Sequence, residues 1–154
     1  MSIEIERKFL VKHDDWKAGV QDSVDCRQGY IVSDVRKTVR IRILGRQGFL
    51  TVKGATSGIS RMEFEYEIDL PDAQYMLMLC DHHVVEKTRH YVSHSGFIWE
   101  VDEFHGLNAG LVMAEVELES EEQNVEPPEW IGEEVSGDER YFNGYLSKHP
   151  YSTW

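Results

Sequence analysis

Along most of this chain, charged and apolar residues alternate with a period of two, and charges two apart pair by sign, as in Glu4/Glu6, Arg40/Arg42, Glu63/Glu65 and Lys87/Arg89. A period of two is that of a β-strand, whose successive side chains point to opposite faces. Glu4, Glu6 and Lys8 therefore share one face, opposed to Ile3, Ile5, Phe9 and Val11. Arg40 and Arg42 oppose Val39, Ile41 and Ile43, and Thr51 and Lys53 oppose Leu50 and Val52 beyond a Gly45–Gly48 turn. Glu63, Glu65 and Glu67 oppose Phe64, Tyr66 and Ile68; Lys87, Arg89 and Tyr91 mark Val85–Val92. Glu100 and Asp102 oppose Phe97, Trp99 and Val101 after a Ser93–Gly96 turn, and Glu115, Glu117 and Glu119 oppose Val116 and Leu118. With a less regular stretch, Cys26–Val32, these make eight candidate strands. Like charges two apart on a strand sit about 7 Å from each other, a repulsion that surfaces ordinarily avoid by mixing signs.

The opposite faces are apolar enough to need cover, which a few short helices can supply only from outside. The charged faces must then look at one another, and eight strands suffice to close a barrel. The expected fold is mainly β: an eight-stranded antiparallel closed β-barrel with a few short helices packed outside, a single domain over residues 1–154. Asp14-Asp15-Trp16 reads as a capped short helix, and Pro71-Asp72 opens another with Tyr75, Met76, Met78 and Leu79 as its apolar stripe. A last helix over about Asp138–Ser147 would present Tyr141, Phe142, Tyr145 and Leu146 to the barrel exterior. A dry lumen lined this way would be prohibitively costly. A wet one holding a divalent cation and a highly charged anion would not, because carboxylates suit Mg²⁺ or Mn²⁺ and Arg and Lys suit phosphate oxygens.

Charge at first argues otherwise. Sixteen Lys and Arg against 28 Asp and Glu leave a net charge of −12, which disfavours nucleic acid and anionic membrane. Net charge describes the far field, whereas the alternation turns six or seven of the sixteen cations inward. No run approaches the roughly 18 apolar residues of a membrane span, and Met1–Val11 has no apolar core of a leader, so the expected location is the cytoplasm. Cys26 and Cys80 read as ordinary buried thiols. Trp130, Tyr145, Tyr151 and Trp154 suggest a surface on which a homodimer could form.

Glu4-Ile5-Glu6-Arg7-Lys8 has the form E-x-E-x-K. It is followed in order by Arg27-Gln28-Gly29-Tyr30, Arg40-Ile41-Arg42, Thr51-Val52-Lys53, Ser60-Arg61-Met62-Glu63-Phe64-Glu65 and Val85-Glu86-Lys87-Thr88-Arg89. Glu100-Val101-Asp102, Glu115-Val116-Glu117 and Arg140-Tyr141-Phe142-Asn143 complete the set. Together these resemble the CYTH family, the triphosphate tunnel metalloenzymes, and most of all its short single-domain bacterial members. The resemblance implies an eight-stranded tunnel that binds a small-molecule triphosphate with a divalent metal and hydrolyses it.

By position, Arg40, Arg42, Lys53, Lys87 and Arg89 form the substrate clamp, helped by Lys8 and Arg61. Glu4, Glu6, Glu115 and Glu117 form the first metal site, on the expectation that the first and last strands lie side by side. Asp102, Glu63 and Glu65 serve a second ion or hold its waters and the basic side chains. Glu67, Glu100 and Glu119 belong near a mouth or beside an arginine. Tyr30 takes the place where the resembling proteins carry a tyrosine suspected as proton acceptor, with Lys8 as the competing candidate and plain packing as the alternative for Tyr30. The Lys53–Gly58 stretch lacks the G-K-[ST] ending of a phosphate loop, and His82, His83, His90 and His94 lack matched metal partners.

The reaction expected is metal-dependent hydrolysis of inorganic tripolyphosphate or a close organic triphosphate. A CYTH-type adenylate cyclase or a thiamine triphosphatase would use the same positions, and a non-catalytic polyphosphate-binding module would bind without turnover. A carrier barrel for hydrophobic ligands is excluded by the polar lumen.

Overall fold

The computed structural model describes residues 2–154. Eight strands form the wall: β1 (Ser2–Val11), β2 (Val20–Ser33), β3 (Lys37–Leu44), β4 (Gln47–Gly54), β5 (Ser60–Ile68), β6 (Val85–His94), β7 (Phe97–Phe104) and β8 (Val112–Glu117). Neighbours run antiparallel in the order β5-β4-β3-β2-β6-β7-β8-β1, and β1 returns to β5 to close the barrel. The first and last wall strands do lie side by side, with Glu6 opposite Glu117 and Lys8 opposite Glu115.

β1 divides its other edge. Ser2–Ile5 pair with β5, and from Phe9 onward the partner is a ninth strand, β9 (Ile131–Glu134). Four residues containing Gly132 and two successive glutamates carry no alternation, so sequence periodicity does not reveal β9. It forms because the tilt of the barrel carries β1 past the end of β5, leaving backbone donors and acceptors that need partners. β2 likewise begins six residues before Cys26, because pairing with β6 orders its polar, exposed first half.

The apolar faces point outward, as the alternation requires. Phe9, Trp99, Val101, Ala114 and Val116 lie under Trp16, Leu118, Trp130 and Ile131, while Ile41 and Ile43 lie under Ala73 and Leu77 of α1 (Leu70–Leu77). Here one expectation fails. Tyr75, Met78 and Leu79 are 71%, 78% and 68% exposed, and α1 docks instead through Ala73 and Leu77 with Met76 partly buried. The helix is so short that its contact face is set by the small residue facing Gly48, not by its bulkiest stripe.

The C-terminal segment gives the second correction. A 3-10 turn at Glu139–Tyr141 leads into α2 (Asn143–Lys148), which does not lie on the outer wall. Phe142 and Tyr145 line the lumen, and fully buried Leu146 packs on Val85, Phe104, Leu111 and Met113, with Leu10 beside them. Leu10, Val85, Phe104 and Met113 have the inward parity of Lys8, Lys87, Asp102 and Glu115, so the lumen lining changes from charged to apolar where α2 seats. Trp130 is buried in the outer core, and Trp154 packs against Tyr141 and Tyr151, which engages most of the aromatic residues that suggested a pairing surface. No helix among the described residues is long and apolar enough to cross a membrane.

Gly48 allows α1 to approach the wall, since a Cβ there would stand 2.7 Å from Ala73 Cβ and 3.0 Å from the Ile68 carbonyl oxygen. Neither atom can move without its backbone. Gly48→Ala is expected to cost about 1–3 kcal/mol in urea unfolding. Gly137→Ala, where a Cβ meets nothing within 4 Å, is expected to change stability by no more than about 0.5 kcal/mol.

Candidate active site

The barrel encloses a cavity of about 730 Å³. Every side chain assigned from sequence to clamp, metal or proton transfer lines it, with the exception of Asp102. Strand register explains the convergence, because cross-strand partners share a face. Tyr30 lies opposite Arg40, Arg40 opposite Thr51, and Thr51 opposite Glu65. Glu4 lies opposite Arg61, Lys53 opposite Glu63, and Glu100 opposite Glu115. Glu100 reaches the lumen beside Arg89, whereas Glu67 bonds to Gln47 away from it.

Three regions differ in charge balance. At the first, Arg40 and Arg42 lean on one carboxylate: Arg42 Nη2 donates to Glu65 Oε1 at 3.0 Å, and Arg40 Nη2 lies 3.6 Å from the same oxygen. The Nε atoms of both arginines are buried without a hydrogen-bond partner among the described residues. Burial, with the neighbouring Arg40 and Arg89 charges, presses the Arg42 guanidinium below its ordinary value. Orphaned guanidinium donors at an excess of positive charge are what an anion with several oxygens would satisfy.

The second region is the reverse. Burial, reinforced by Glu115 and Glu4 and only partly offset by Lys8, pushes the Glu6 carboxyl up to about 8. Burial and the nearby Glu4 and Glu63 also raise Glu117. Glu4 itself is balanced: burial would raise it, but Lys53, whose ammonium donates to Oε1 at 2.9 Å and Oε2 at 2.8 Å, and Arg61 hold it at about 2. Crowded, under-neutralised carboxylates are the donor set of a hard divalent cation, so the residues fit such an ion. Among the described residues no three such groups are already gathered into a cage.

The third region is sealed. Asp102 is completely buried and its oxygens accept from Lys87 Nζ at 2.7 Å and from Arg89 Nε and Nη2 at 2.8 and 2.9 Å. Despite burial, the two cations hold Asp102 well below the usual carboxylate range. Of the two roles left open for Asp102, serving a second ion or holding basic side chains, these bonds are those of the second: it anchors Lys87 and Arg89. Arg89 also meets Glu100 at 2.5 Å and Glu115 at 3.5 Å.

Two features escape a residue-by-residue reading of sequence. Asn143 Oδ1 accepts from Lys87 Nζ at 3.0 Å, tying α2 to the clamp. Gln28, almost fully buried, donates from Nε2 to the Tyr30 hydroxyl at 2.9 Å. Both lie inside the quoted motifs, which were the only signal available for them. Lys53 has a further property: burial and Arg40 lower its ammonium, against the pull of Glu4 and Glu6. His90 bridges Ser23 and Glu103 on the outer wall and takes no part in the lumen.

Comparison with known proteins agrees with this geometry. The CYTH domain pattern matches residues 2–144. The inorganic triphosphatase of Acetivibrio thermocellus is 49% identical, with 100% of this chain and 99% of that protein covered. The inorganic triphosphatase of Nitrosomonas europaea is 38% identical over 94% of this chain and 96% of its own length. A crystal structure of the inorganic triphosphatase NE1496 superposes with a TM-score of 0.69 at 36% identity, covering 96% of this chain and 95% of the other. The PH1012 protein of Pyrococcus horikoshii, at 20% identity and a TM-score of 0.61 over 77% of this chain and 79% of its own, shares the fold. With a closed antiparallel barrel, inward charges sorted by strand, and a match across nearly its whole length, the chain belongs to the CYTH domain family.

Proposed function

We propose that this chain hydrolyses a phosphoanhydride bond of inorganic tripolyphosphate within the lumen, with Mg²⁺ or Mn²⁺. The observation that carries the reading is the separation of charge: arginine donors without partners on one side, crowded carboxylates on the other. A phosphate chain with its counter-cation satisfies both at once, and the two full-length relatives are inorganic triphosphatases.

Arg40 and Arg42 grip phosphate oxygens through their forks, while Lys53 and Arg61 add point and fork charge toward Glu4. Lys87 and Arg89, fixed by Asp102, hold the substrate against the far wall without having to be ordered on binding. Glu6, Glu115 and Glu117, with Glu4 and Glu63 adjoining, would hold the cation; Glu65 steadies the arginines. When bound, the divalent ion supplies charge neutralisation of phosphate and acidification of water. Tyr30 and Lys8 are the candidates for holding the proton of the attacking water.

Purified protein incubated with tripolyphosphate and Mg²⁺ or Mn²⁺ is expected to release orthophosphate, and a chelator should abolish release. Phosphate no higher than from a Glu4→Gln control would overturn the proposal. Arg40→Lys keeps the charge but loses the fork, and its kcat/KM is expected to fall about tenfold or more. Asp102→Asn is expected to destabilise the fold by about 3–5 kcal/mol by leaving buried cations short of a partner. It should also lower kcat/KM without changing the half-saturating metal concentration; a large shift in that concentration would return Asp102 to the ligands.

A further inference from the structure

The wall is not closed by strand pairing alone where it meets the carboxylate region. Ile5 is the last β1 residue paired with β5 and Phe9 the first paired with β9. In between, the Lys8 N–H donates to a side chain, Ser136 Oγ at 2.9 Å, and the Lys8 carbonyl accepts from Val135 N at 2.8 Å. The Ser136 hydroxyl donates onward to Glu134 Oε2 at 2.7 Å. Arg7 grips both Glu134 oxygens, Nε at 3.0 Å and Nη2 at 2.6 Å. A ring of hydrogen bonds thus runs from Arg7 on the outer face through Glu134 and Ser136 to the backbone of Lys8, whose side chain points inward.

Inside, the Lys8 ammonium makes no short contact among the described residues. Its nearest carboxylate oxygens, on Glu6 and Glu115, are 3.7 and 3.8 Å away, and it lies 4.9 Å from the centre of the Phe142 ring. A small open hollow of about 20 Å³ borders Glu6, Lys8, Ile59 and Ser136. The location of the ammonium therefore depends on where its backbone is held, unlike Lys53 or Lys87, which are fixed by short bonds at their tips.

We propose that Ser136, braced by Glu134 and Arg7 on the outer surface, is a positioning residue that sets Lys8 in the lumen for the reaction. This rests on the reading of Lys8 as a group that meets the substrate. Ser136 differs from an ordinary stabilising contact in one respect: its effect on turnover passes through a single side chain and vanishes when that side chain is absent.

The experiment is a double-mutant cycle on tripolyphosphate hydrolysis with thermal unfolding in parallel. Ser136→Ala is expected to lower kcat about tenfold, as a small misplacement of a reacting group can. KM should stay within about twofold, since Arg42, Lys53, Lys87 and Arg89 keep their own carboxylate partners. Ser136→Thr should restore most of the loss, and Glu134→Gln should fall between. In a Lys8→Ala background, Ser136→Ala should cause no further loss of kcat. Equal losses in both backgrounds, a kcat for Ser136→Ala within twofold of wild type, or full activity in Lys8→Ala would each overturn the proposal while leaving the triphosphatase reading standing. Absence of turnover in the wild-type protein would overturn both.

Discussion

A lumen that withdraws Lys8, Lys53, Lys87, Arg89, Glu115 and Asp102 from water can exist only if the strands bring opposite charges together as they close. The Lys87–Asp102–Arg89 group meets that condition most fully, with three short bonds to one carboxylate. Breaking it would leave buried charge uncompensated, so it favours the register that sets Arg89 opposite Asp102 on β6 and β7. Asn143 extends the same group to α2 and so couples the closing of the lumen to the clamp.

Elsewhere the balance is left incomplete, and there the chemistry lies. Arg40 and Arg42 share Glu65, while Glu6 and Glu117 repel neighbouring carboxylates. Both departures have the same remedy, a multiply charged anion arriving with a divalent cation. A net charge of −12 is compatible with such a ligand because the excess acid sits on the surface and at the carboxylate region, not around the arginines. The protein resembles a partly assembled ion lattice that substrate completes.

How much of this is legible in the residues varies with the range of the interaction. Inward and outward faces follow from parity alone, so Arg40, Arg42, Lys53, Glu63, Glu65, Glu115 and Glu117 reach the lumen as alternation requires. Parity cannot distinguish a lumen-facing carboxylate that is reachable from one that is sealed, which is why sequence left Asp102 between an ion and the basic side chains it is seen to hold. It also does not show what lies at the barrel's end. Phe142 and Tyr145 form an apolar pattern that fits a helix on the outer wall equally well, until Leu10, Val85, Phe104 and Met113 are seen to make an apolar seat inside. α1 errs for a related reason: Tyr75, Met78 and Leu79 satisfy a helical stripe, but contact is limited by Gly48 against Ala73.

The sequence by itself determined the eight wall strands, their inward faces, the sorting of charge by strand and, through that sorting, a lumen suited to anion and metal. These are local properties, set by the two-residue repeat of a strand and the cost of like charges on one face. Only the tertiary structure decided which charges neutralise each other, which remain open to a ligand, and how the seam at Lys8 is closed by Ser136 and β9. Those depend on barrel tilt and on contacts between residues more than a hundred positions apart, such as Arg7 with Glu134, and no local pattern encodes them.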